Sequence, residues 1–153
     1  MQKNPMNSKY SFEEGSIDLP EGFHDRSTNI FVYGSTTPSP LNLNIARDVL
    51  LPDEGLPAYV DRQMQLLKKN VRGHAVHQRT RATLGHADAA IEGEQITSTH
   101  KTGSQTIHQR QAAFIRSGSD VLIFSCSSVR PFDAKQDVLW TNWLTSFRAR
   151  DAN

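Results

Sequence analysis

The sequence predicts an α+β fold, an antiparallel β-sheet with two main helices packed on one face, and three observations carry that reading. From His74 to Val129 the residues follow strand patterns interrupted by turn residues at short intervals. A helical stripe precedes this stretch over Leu56 to Val71, and a second follows it from about Asp133 to Arg148. Strands that follow one another through short turns pair as hairpins, and the helices supply the second layer that buries the sheet.

The elements come in order. Residues 1–10, M-Q-K-N-P-M-N-S-K-Y, are polar and expected to be disordered, which leaves 11–150 as a single domain. In Ile17 to Phe31, which reads I-D-L-P-E-G-F-H-D-R-S-T-N-I-F, Pro20, Glu21 and Gly22 form a turn between two extended segments. Proline presets φ for such a turn and glycine tolerates a positive φ. Thr36 to Pro40, T-T-P-S-P, is a loop because two prolines block regular pairing, and L-N-L-N-I-A-R-D from Leu41 to Asp48 is the next strand. In the first helix Leu56, Tyr59, Val60, Met64, Leu67 and Val71 recur at three- and four-residue steps, and Gly73 marks the stop.

Four strands follow: His74 to Leu84, His86 to Thr97, Gln105 to Arg116 and Asp120 to Val129. Gly85, the run Lys101 to Ser104 and the run Ser117 to Ser119 separate them, so a hairpin meander is the simplest topology. In the last helix Asp133 caps the first turn with Gln136 three residues on, and Trp140, Trp143, Leu144 and Phe147 form the apolar face.

Composition narrows the function classes. At 153 residues the chain suits one domain, which would bury roughly 68–70% of the surface its unfolded form exposes. Hydrophobic residues at 37%, charged ones at 22% and a net charge of +1 give no general attraction to polyanions. No apolar run approaches the roughly 20 residues of a membrane span, and the start lacks the apolar core of a signal peptide. Cys126 is the only cysteine, so no intrachain disulfide forms, and its place in V-L-I-F-S-C marks a buried structural thiol. A cytoplasmic protein without stable membrane insertion fits these features.

Neither an enzyme nor a metal protein is expected. His24, His74, His77, His86, His100 and His108 share no ligand spacing, and no G-x-S-x-G, C-x-x-C, H-E-x-x-H or phosphate loop occurs. No cofactor is implied. Lys68, Lys69, Arg72, Arg79 and Arg81 form a basic cluster, but it straddles a helix end, a turn and a strand without interleaved aromatics, so nucleic acid is not expected as a partner.

The strand from Leu41 to Asp48 carries the main functional clue. Side chains alternate across a sheet, so Leu41, Leu43 and Ile45 point one way and Asn42, Asn44 and Ala46 the other. The second row has no charge, although a solvent-facing strand usually carries Lys, Glu or Arg. Such a row suits an apolar partner with some polar atoms to satisfy; it also suits a plain dimer interface or ordinary exposed sheet.

The order L-P-E-G-F-H-D-R-S-T-N-I-F, then I-A-R-D, then Y-V-D-R-Q resembles the effector-associated (Eag) chaperones of bacterial type VI secretion. The resemblance covers roughly Ser16 to Arg148 and is strongest before Gln65. It implies a Mog1/PsbP-like fold and a cytoplasmic homodimer that shields the N-terminal transmembrane helices of a PAAR-domain effector, and so serves the secretion spike indirectly. Carried over by motif, S-T-N-I-F places Thr28 and Ile30 in the helix-binding groove, N-L-N-I-A-R-D places Asn42, Asn44 and Ala46 there, Y-V-D-R-Q adds Gln63 and R-Q-A-A-F-I adds Gln111. Family members often fill several of these positions with Ile, Val or Ser, so Thr28, Asn42, Asn44 and Ala46 make this groove more polar. The alternative is a general protein-binding module of the same fold, unconnected with secretion.

Overall fold

The computed structural model describes residues 8–150. Strands β1 (Ser8–Phe12) and β2 (Gly15–Leu19) form an antiparallel hairpin of their own. Strand β1 thus reaches into the stretch expected to be disordered, at Ser8, Lys9 and Tyr10; residues 1–7 lie outside the described residues. The turn at Pro20 forms as expected: the Phe23 N–H donates to the Pro20 carbonyl at 3.1 Å, and Gly22 takes φ +90°. It carries the chain from this hairpin to a second sheet.

That sheet has six antiparallel strands: β3 (Asn29–Val32), β4 (Leu41–Val49), β5 (Ala75–Leu84), β6 (Ile91–Thr102), β7 (Gln105–Ser117) and β8 (Asp120–Ser128). Their spatial order is β3-β4-β8-β7-β6-β5. The last four strands form the expected meander, and β4 closes against β8 over its whole length, from Leu41 opposite Ser128 to Val49 opposite Asp120. Both ends of β6 differ from expectation. It runs to Thr102, past the expected end at Thr97, and takes in Lys101 and Thr102 of the expected turn. The segment from His86 is not strand: Ala87–Ala89 forms a 3-10 turn, with Ala87 at φ 57°, and β6 begins only at Ile91.

Helix α1 (Leu56–Asn70) begins with proline at its first turn, and α2 (Ala134–Thr145) carries the expected capping box. The Asp133 side chain accepts from the Gln136 N–H at 2.9 Å, and the Gln136 side chain accepts from the Asp133 N–H at 3.1 Å.

The α+β class and the antiparallel sheet are as expected, but the two helices lie on opposite faces, which corrects the expectation of a shared one. Trp140 and Leu144 of α2 pack with Ala82, Leu84, Ala112, Phe114, Phe124 and Cys126. Tyr59 and Val60 of α1 pack with Ile96, Ala113 and Val121, with Met64 and Ile123 beside them. Ala112 and Ala113 are chain neighbours in one strand, so these two cores must lie on opposite sides of the sheet. A strand buried on both faces reads as a continuous apolar run, and both A-A-F-I in β7 and V-L-I-F in β8 are such runs.

Candidate functional site: an uncharged groove beside the first helix

Strand register assembles the candidate site. Antiparallel partners point to the same face, so the pairings run as rows across the strands. One row passes from Val32 through Asn42, Ser127 and Gln109 to Ser98. The next passes from Ile30 through Asn44, Ser125 and Gln111 to Ile96, and a third from Ala46 through Ile123 and Ala113 to Glu94. All three lie on the α1 face, because Ile96 and Ala113 pack against Tyr59 and Val60. Over β3, β4, β8 and β7 these rows contain no charged residue.

Five of the residues expected in the groove, Ile30, Asn42, Asn44, Ala46 and Gln111, thus share one surface. Gln63 joins them from α1: it and Gln111 line the same cleft, together with Met64, Leu67, Ile96, Ala113 and Ile123. Thr28 is exposed and precedes the first residue of β3, so no register pair fixes it to a row. Sequence reasoning missed Gln109, Ser125 and Ser127. Their period-two spacing with Gln111 was visible in Q-R-Q and S-C-S, but only the register sets Ser127 beside Asn42 and Ser125 beside Asn44.

The rows are only partly satisfied internally. Gln109 donates from Nε2 to Ser127 Oγ at 3.2 Å. Asn42 Oδ1 and Ser98 Oγ are buried with no hydrogen-bond partner among the described residues. Ile30 and Val32, at 64% and 61% exposed, form an apolar flank at the open edge of the sheet.

Charged groups at the margins are tied down. Asp48 accepts from the Tyr59 hydroxyl at 2.7 Å; burial, then this bond and the nearby carboxylate, push that hydroxyl's pKa well above its ordinary value. Arg79 donates to Glu94 at 2.7 Å and also pairs with Asp61, while Arg81 lies 3.9 Å from Glu92. Arg79 and Arg81 of the basic cluster are therefore ion-paired. At the far end of β6, burial and then the charge of His100 hold the His74 pKa below its ordinary value.

Nucleophilic chemistry has little to work with at Cys126. It is buried, and burial pushes its thiol up to about 11, so it stays protonated at neutral pH. Among the described residues no three His, Cys, Asp or Glu side chains converge as metal ligands. No described helix is long and apolar enough to cross a membrane.

This architecture is shared by a solved structure. The crystal structure of PA94, a Pseudomonas aeruginosa protein of unknown function, superposes with a TM-score of 0.71 at 19% identity, covering 96% of this chain and 99% of that one. Such a likeness establishes the fold. The chain belongs to the DcrB family, whose profile matches residues 14–146. Among characterised proteins it is similar to Effector EagT6 of Pseudomonas aeruginosa, with 28% identity over 85 residues. That match covers 54% of this chain and 59% of the relative. The Eag resemblance read from the motifs is borne out by these matches.

Proposed function

We propose that this protein is a cytoplasmic chaperone and adaptor that binds and shields the N-terminal transmembrane helices of a PAAR-domain type VI effector and helps load it onto the secretion spike. The single observation that carries this reading is the uncharged surface of paired amide and hydroxyl rows, flanked by Ile30 and Val32 and bordered by α1, in a chain similar to EagT6. Transmembrane helices associate through close packing and interhelical hydrogen bonds, and a surface of small, neutral polar and apolar groups offers both. It also covers apolar area that would otherwise aggregate.

A homodimer completes the reading. Strand β3 exposes Ile30 and Val32 on one face and Phe31 on the other, and among the described residues its outer edge has no strand beside it. An uncharged open edge of this kind invites pairing, and a second copy would bring a second groove alongside the first. No catalytic step, cofactor or nucleic acid enters this function; Arg79, the central arginine of the basic cluster, already serves Glu94 and Asp61.

Co-purification with the N-terminal segment of an effector whose gene adjoins that of the chaperone tests the reading. Each copy of Ile30 contributes about 1.5–3 kcal/mol of apolar burial when covered, so Ile30→Asp should abolish capture. Because Ile30 is exposed in the free protein, the same variant should melt within about 2 °C of the parent. An Ile30→Asp protein that captures the effector as well as the parent overturns the groove. Capture that persists after the apolar helices are deleted leaves the general protein-binding module.

A further inference from the structure

We infer that the cleft between α1 and the sheet is an anchor site that accepts one large apolar side chain, of leucine or phenylalanine size, from the bound helix. This inference rests on the chaperone reading and names what part of the partner is recognised. The cleft has a volume of about 120 Å³. Small-molecule sites usually span about 300–1,000 Å³, so this one is too small for a cofactor or metabolite. A dry apolar cavity of roughly 150 Å³ holds a benzene ring, which sets the scale at a single side chain.

Its walls have the chemistry for that occupant. Met64, Leu67, Ile96, Ala113 and Ile123 supply apolar surface, with Ala113 the smallest. Methionine adapts its shape to an incoming group. Gln63 and Gln111 also line the cleft and are half-buried, so their amides are placed to bond the backbone or a polar neighbour of the inserted residue. Glu94, the one carboxylate in the lining, is held by Arg79. Two neutral amides around an apolar hole distinguish a helix carrying a protruding side chain from one that is small on all sides.

The test uses two probes on the whole protein. Benzene is titrated while the Ile96 and Ile123 methyl signals are followed by NMR. Separately, alanine-rich helical peptides of about 20 residues carry a central guest Ala, Leu or Trp. Saturable methyl shifts are expected, together with affinity at least about tenfold higher for the Leu guest than for the Ala guest. Ala113→Leu fills the cleft and should erase both effects. Met64→Ala widens it and should move the preference towards Trp, which keeps the test decisive if Ala113→Leu fails to fold. Absent shifts with equal affinities for all guests overturn the anchor site. Benzene shifts without capture of any helix overturn the chaperone reading instead, and with it a helix as the occupant.

Discussion

Gly93 shows how tightly the interior constrains single residues. A methyl group at this position would lie 2.1 Å from the Ala113 carbonyl oxygen and 2.5 Å from the Phe114 ring, both too close to persist. Gly93→Ala should therefore destabilise by about 1–3 kcal/mol, lowering the melting temperature by roughly 2–4 °C per kcal/mol. Acid should act at two other residues. Arg62 donates to Glu54 at 2.8 Å and the Leu51 N–H donates to it at 3.0 Å, and these bonds lower the carboxyl pKa to about 2. A depressed carboxyl stabilises the fold above its unfolded value of roughly 4.3 and loses that contribution as pH falls towards 2. His74 behaves at milder acidity. Its depressed pKa leaves stability intact above about pH 6.5 and erodes it as pH falls through the folded value. Melting curves from pH 8 to 2 should show both losses, with His74→Asn flattening the upper one and Glu54→Gln the lower.

Among the elements, α2 was the most legible. The Asp133 and Gln136 spacing announced a capping box, and the box is present. Asp133→Ala should cost about 1 kcal/mol, read as a melting temperature lower by roughly 2–4 °C with helix content otherwise kept. The start of β6 was less legible, because nothing local in H-A-D-A-A favours a 3-10 turn with Ala87 at positive φ over extended chain. The placement of the helices was misread for a different reason. The element order suggests the layer solution with both helices on one face, which the alternation of near-edge β4 alone would allow, yet β7 and β8 are apolar at consecutive positions and so are covered twice. Weighing those central runs above the near-edge strand would have put α1 and α2 on opposite sides.

At the scale of the whole molecule, half of the groove could be read from β4 alone, since alternation sorted Asn42, Asn44 and Ala46 onto one face. The other half comes from Ser125, Ser127 and Gln109, whose place beside them depends on pairing between strands far apart in sequence. Period-two spacing shows which residues share a face but not which strand lies next door. A groove without ions should also be insensitive to salt. Effector affinity should change little between about 50 and 200 mM salt, whereas a polyanion held by six to ten phosphates would lose roughly 10³- to 10⁵-fold. A titration of the effector's apolar segment and of a single-stranded oligonucleotide across that range checks this, and steep loss for the effector would move the site to the basic cluster. The pairing of β4 with β8 also imposes an order of events during synthesis. Asn42 and Asn44 leave the ribosome early, but their neighbours Ser125 and Ser127 emerge some 80 residues later. Non-local pairing of this kind is slow, because a long loop must close before any contact rewards it. The uncharged surface therefore cannot assemble until β8, the last of the described strands, has been made, and the edge of β4 that β8 covers must wait unpaired for that moment.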